Sequence, residues 1–193
     1  MAAVELADEQ GLAAVSMAKV AERLGFTTMS LYRHVESKDE LVRRMLEQAL
    51  GAPPPFAGLG WRAGLEAWSR SMLAVLERHP WGIDVPITGM LGTVAQLSWL
   101  NRGLECLADT EIDENRKAQL LLLVNGYVFW SARLAFQVPR NLQAPMIPED
   151  LDLSEFQALK RANDANIFGD DEPDEDMFDY GLQRVLDGVA SAM

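Results

Sequence analysis

The amino-acid sequence predicts an all-α protein in two parts, and three observations carry that reading. Apolar residues recur at helical spacing, as in Met17, Val20, Ala21 and Leu24, and no stretch alternates apolar and polar residues like a half-buried strand. The first 50 residues break into short periodic pieces bounded by Ser, Thr and Gly. The segment GAPPPFAGLG at 51–60 then separates those pieces from much longer periodic stretches. The expected organisation is a short-helix module at 1–50, a linker at 51–60 and a helical domain at 61–193.

Taken in order, the first helix covers residues 2–10, with Gly11 as its C-cap. Ser16 caps a second helix, whose inward stripe is Met17, Val20, Ala21 and Leu24. Gly25 stops it and permits a tight turn. Thr27 caps a third helix with Leu31 and Val35 facing inward. Ser37-Lys38-Asp39-Glu40 is a capping box that opens a fourth helix running to about Leu50. After the linker, a helix at 61–79 packs through Leu65, Trp68, Met72, Val75 and Leu76 and stops at Pro80. A turn-rich segment reaches Pro86, and helices follow at 88–108 and 112–138. The second of these is apolar all round at 120–124 and should be buried on most sides. Residues 139–153 read as a loop, 154–166 as a helix, and 173–192 as a last amphipathic helix through Phe178, Leu182, Val185, Leu186 and Val189.

Composition narrows the chemistry. No apolar run reaches membrane-spanning length and the N-terminus lacks the basic start of a secretory signal, so a cytoplasmic protein outside the membrane is expected. One cysteine, Cys106, allows no internal disulfide and no multi-cysteine metal site, and its apolar neighbours mark it as an inert core residue. There is no metal-ligand cluster, no Gly-rich phosphate loop and no nucleophile–base pairing, so neither catalysis nor a cofactor is expected. The net charge of −12 argues against a nucleic-acid partner, but its distribution weakens that objection. Residues 1–50 carry six basic and eight acidic side chains, a net of −2, and the remainder carries −10. The acid is densest at 170–179, the ordinary mark of a solvated loop and helix start.

The second and third helices form a helix-turn-helix, in which one short helix enters the major groove of DNA. With Leu31 and Val35 inward, Thr28, Met29, Ser30, Arg33 and His34 are left outward, as a base-reading helix requires. Lys38 sits in the first turn of the next helix, beside free amides that favour a phosphate oxygen. The chain resembles the tetracycline-repressor (TetR) family of bacterial transcriptional regulators through Ala21-Glu22-Arg23-Leu24-Gly25, Ser30-Leu31-Tyr32-Arg33-His34-Val35 and Ser37-Lys38-Asp39-Glu40-Leu41. The likeness extends to Arg78-His79-Pro80-Trp81, Phe178-Asp179-Tyr180-Gly181-Leu182 and Leu186-Asp187-Gly188, which are similar to the effector domain of the branch containing the tetracycline repressor.

That resemblance implies a double-stranded operator as partner, with Tyr32, His34 and Lys38 on phosphates and Thr28, Met29, Ser30 and Arg33 facing bases. Ser16, Met17, Lys19 and Thr27 complete the candidate DNA-contacting set. Two departures stand out. Ala18 occupies the place where a base-reading Arg is often found, and no basic arm precedes the first helix. Either the natural start lies upstream, or fewer phosphates are contacted and binding is less salt-sensitive.

A regulator of this type also needs a small-molecule effector site. Large aromatics with a few polar groups make such pockets, and the candidates are Trp81, Met90, Trp99, Asn125, Phe129, Trp130 and Arg133. At least two of Trp81, Trp99, Phe129, Trp130 and Arg133 are expected to line one cavity. A tetracycline–magnesium effector is unsupported, because His34 and His79 are the only histidines and His79 reads as a C-terminal cap. Operator symmetry implies a homodimer, with the apolar 120–134 segment and the Phe178–Val189 stripe pairing into a four-helix interface. The expected function is a ligand-responsive regulator, most simply a repressor released by its effector. The competing reading is a helical protein-interaction module without sequence-specific DNA binding.

Overall fold

A computed structural model of the chain describes residues 2–56, 58–86, 92–137, 147, 151–165 and 177–193. Nine α-helices lie in the described residues: α1 Ala2–Gln10, α2 Met17–Arg23, α3 Thr28–Tyr32, α4 Lys38–Leu50, α5 Gly60–Arg78, α6 Val94–Cys106, α7 Glu114–Gln137, α8 Gln157–Asp164 and α9 Met177–Ala190. Short 3-10 turns at Leu12–Ala14 and Pro80–Asp84 complete them, and no strand occurs among the described residues. The all-α expectation holds.

The short helices of the N-terminal module are each fixed by a local cap. Ser16 Oγ accepts from the Lys19 amide, Thr27 Oγ1 from Ser30 and Ser37 Oγ from Glu40, at 3.2, 3.2 and 3.1 Å. These bonds satisfy amides that a helix start leaves without partners. Glu40 Oε2 accepts from the amide of Glu36 at 2.6 Å, so the capping box closes one residue earlier than a Ser37 cap would require. Gly25 takes φ +72°, a left-handed backbone that glycine adopts without cost, and opens the turn into α3. Leu24 departs from the expected inward stripe. It is the residue beyond the end of α2 and 45% exposed, because the chain leaves helical register there.

The module and the C-terminal body have separate cores. Ala3, Val4, Leu6, Ala7, Val15, Met17, Val20, Val35, Leu41 and Met45 form the first. The second is built on α5, α7 and α9, with Leu65, Trp68, Met72, Leu121, Val124, Val128, Leu182 and Leu186 at its centre. Two residues cross the expected boundaries. Phe56, inside the proline-rich linker, is buried in the body core. Trp81, from the body, is buried in the module core.

Helix ends differ from the sequence reading where a side-chain cap competes with periodicity. The sixth helix starts at Val94, because Thr93 Oγ1 accepts from Gln96 at 3.1 Å, while Thr88 and Gly89 lie outside the described residues. The expected loop at 139–153 and the acidic run at 170–176 also fall largely or wholly outside them.

The seventh helix corrects one expectation. By length and composition it could cross a membrane, with mean hydropathy 1.2 over its most apolar 18 residues. In the fold its Leu121, Val124, Val128 and Ala132 are buried against neighbouring helices. It is not buried on most sides, however: Leu122, Leu123, Trp130 and Leu134 are exposed. With Gln119, Gly126 and Tyr127, three of those four line an open apolar groove of about 630 Å³ bordered by Val185 of α9.

Candidate nucleic-acid interface and the joint behind it

The helix-turn-helix surface follows from which side chains the module core leaves outside. Val35 is buried and Leu31 packs against the same core, which turns the opposite side of α3 outward. Lys19, Thr27, Met29, Tyr32, Arg33, His34 and Lys38 are exposed, while Ser16, Thr28 and Ser30 are half-buried. Ser16 and Thr27 spend their hydroxyl lone pairs on caps, so their first role is to orient α2 and α3. Met17 is a correction to the candidate set. It is only 6% exposed and belongs to the module core, because its place in the first turn of α2 faces α1 and α4 rather than the outer surface.

Charge on this surface is sorted by ion pairing. Arg23 is held by Glu9 through bonds of 2.7 and 2.5 Å and lies 3.8 Å from Glu5. The Arg23 bond holds the Glu9 carboxyl below its ordinary range and raises the guanidinium in turn. Arg44 is held by Glu40 at 2.7 Å. Lys19, Arg33 and Lys38 form no ion pair with any described residue. Two of the module's cations therefore brace its helices, and three on the helix-turn-helix side stay available for phosphates and base edges. This division shows which cations of a chain of net charge −12 stay outside ion pairs among the described residues.

Behind the module, five polar contacts among the described residues tie it to the body or pin the segment that does so. Asp8 Oδ1 accepts from Trp81 Nε1 at 2.7 Å and lies 2.8 Å from His79 Nδ1. Glu47 Oε2 accepts from the amide of Ala95 at 2.9 Å, joining α4 to the start of α6. Trp99 Nε1 donates to the Leu50 carbonyl at 3.2 Å. Arg133 donates to the Ile83 carbonyl at 3.0 Å, fixing the turn that carries Trp81. Sequence reading passed over Asp8 and Glu47, since a surface carboxylate on an amphipathic helix carries no local sign of a distant partner. His79 does end α5, as expected, but its ring engages Asp8 rather than the helix carbonyls.

The expected effector residues are dispersed. Trp81 is in the module core, and Trp99 is buried edge-on against Trp68, with ring centres 6.1 Å apart. Phe129 and Asn125 are half-buried, Trp130 is 59% exposed on the outer face of α7, and Met90 lies outside the described residues. A cleft of about 200 Å³ between module and body is lined by Trp81, Asp8, Asp84 and Phe136, and Trp130 lines the α7 groove. Neither cavity brings together two of the five residues expected to share one. Consecutive positions on α7 point about 100° apart, so Phe129 faces inward while Trp130 faces out. Of the expected α9 stripe, Leu182, Leu186 and Val189 are fully buried within the subunit, while Phe178 and Val185 are half-buried. Burial pushes the Cys106 thiol up.

Comparison with known proteins gives this geometry a family. Residues 1–45 match the family described as bacterial regulatory proteins, tetR family, and residues 54–193 match the tetracyclin repressor-like C-terminal domain. The HTH-type transcriptional repressor DrrR1 of Streptomyces coeruleorubidus is 31% identical over 97% of this chain and 74% of its own length. Among solved structures, the fold is similar to Streptomyces coelicolor ActR in complex with (S)-DNPA, at TM-score 0.77 and 21% identity over 100% of this chain and 95% of that one. It is also similar to BioQ with its double-stranded DNA operator, at TM-score 0.64 and 19% identity over 98% and 94%. The tetR family is one of transcription factors rather than enzymes. The chain belongs to the tetR family of bacterial regulatory proteins, with a tetracyclin repressor-like C-terminal domain.

Proposed function

We propose that the protein binds a double-stranded operator as a homodimer, with α3 of each subunit in the major groove, and leaves it when a small molecule binds the C-terminal domain. The observation that carries this is the sorting of charge: Lys19, Arg33 and Lys38 form no ion pair among the described residues, while Arg23 and Arg44 are held by Glu9 and Glu40. Tyr32, His34 and Lys38 then hold phosphates, and Thr28, Met29, Ser30 and Arg33 face the bases, with Lys19 at the groove edge. The exposed row Leu122, Leu123 and Trp130 with Val185 supplies the self-complementary apolar face that a two-fold dimer requires. Trp130 belongs to that face in this reading rather than to the effector. Trp99, Asn125 and Phe129, inside the body, remain the effector-facing candidates, and Trp81 and Arg133 serve the joint.

Effector release acts through that joint. A ligand that fits better when α4 and α6 are displaced alters the spacing of the two DNA modules, and so lowers operator occupancy. The test is a salt titration of binding to the duplex upstream of the protein's own coding region. A steep negative slope of log affinity against log salt is expected, reduced by about one unit in Lys38→Ala. A flat, sequence-blind response would leave the protein-interaction reading in its place.

A further inference from the structure

Met29 is 73% exposed, more than any other large apolar side chain among the described residues. It stands in the first turn of α3, two residues beyond the Thr27 cap. Leu31, which packs on the module core, points to the opposite side of the helix. Tyr32 and Arg33, three and four residues on, share the outward face with Met29. Lys19 in α2, Arg33 at the end of α3 and Lys38 at the start of α4 are exposed and form no ion pair with any described residue.

The first turn also lacks the side chains that read bases by paired hydrogen bonds. It presents Thr28, Met29 and Ser30, with no Asn, Gln or Arg, and Ala18 in α2 adds nothing longer. A thioether in water gains free energy only if something apolar covers it. In a phosphate-walled major groove, the apolar group on offer is the 5-methyl of thymine.

We infer that each operator half-site is read in part through the 5-methyl group of one thymine, which packs against Met29. This rests on α3 being the groove-entering helix. The thioether is long and flexible enough to follow the methyl, and it forms no hydrogen bond that would fix which base pair carries it. Met29 is thereby a specificity-determining residue, and Arg33, one turn further along, is left as the long donor for a guanine or a phosphate.

The test uses the full chain and duplexes it selects from random DNA. Each thymine is replaced singly by deoxyuridine, which removes only the methyl group, and Kd is measured by fluorescence anisotropy. One thymine per half-site should show a penalty of about threefold to tenfold, the size expected for one buried methyl group in a groove contact. Met29→Ala should bind more weakly by a similar factor and become indifferent to that replacement, whereas Met29→Leu should retain the penalty. Both variants should keep the thermal midpoint of the parent, because the side chain is outside the core. Tight binding with no deoxyuridine penalty, or a penalty that survives in Met29→Ala, overturns this inference and leaves DNA binding intact. Failure to select any sequence overturns the operator reading along with it.

Discussion

The N-terminal module fixes α2, α3 and α4 by side-chain caps, whereas the C-terminal body adds long apolar faces to the caps of α6 and α7. Module helices α2, α3 and α4 have 7, 5 and 13 residues, and each opens on a Ser or Thr whose side chain bonds an amide in its first turn. The body's α5 has 19 residues and no side-chain cap, and α7 has 24. Short helices bury too little to offset the cost of nucleation, so local hydrogen bonds and ion pairs must fix their ends. Long helices draw their stability from an apolar face packed against neighbours. The division has a functional consequence. A module held from behind and at its ends can keep its outward face polar and cationic for DNA.

The strongest way to break that contrast is to remove a body core side chain. Leu121→Ala deletes a side chain that is fully buried between α5, α6 and α7, and should cost about 2–5 kcal/mol, read as a lower urea midpoint. A loss comparable to that of a surface change would mean the body is not held by its core.

Next comes the joint. Asp8→Ala leaves the buried Trp81 Nε1 and the His79 ring without their acceptor, and should cost about 1–3 kcal/mol. It should also separate the unfolding of the module from that of the body, seen as a second calorimetric transition. A single unshifted transition would show that Trp81 packing alone couples the two cores.

A cap deletion should affect the module more gently. Ser37→Ala removes the bond to the Glu40 amide and should cost about 1 kcal/mol, with protection from hydrogen exchange lost first at the start of α4. The smallest effect is acid sensitivity at the same point. The Glu36 amide first, and then Arg44, hold the Glu40 carboxyl below its ordinary value of 4.5. A depressed carboxyl contributes stability that is full above 4.5 and is lost as the pH falls through the folded value. Glu40→Gln should therefore flatten the module's loss of stability below pH 4.5, monitored by hydrogen exchange or circular dichroism.

Caps, turns and the helix-turn-helix were legible in the sequence because each is a relation among residues three or four apart. Ser16, Gly25, Thr27 and Ser37 act on their immediate neighbours, and the structure finds them doing so. The outward identity of Met29 and Arg33 was legible for the same reason, since Leu31 and Val35 had already claimed the inner face. Helical spacing put Met17 inward, where the structure has it, against its place in the DNA-contacting set; Leu24 was misplaced, because spacing alone does not tell where a helix ends.

The sequence by itself determined the helices of the module and the capped starts of α2, α3 and α4, because local hydrogen bonding and periodicity act over a few residues. Only the tertiary structure decided the rest. In an all-round apolar helix such as α7 every face is equally suited to burial, so the packing of α5 and α9 selects the buried side and leaves Leu122, Leu123 and Trp130 exposed. Trp81 and Asp8 are 73 residues apart, and no local rule links a tryptophan in one domain to a carboxylate in the other. Their bond exists because two hydrophobic cores meet there, and that meeting is a property of the assembled fold.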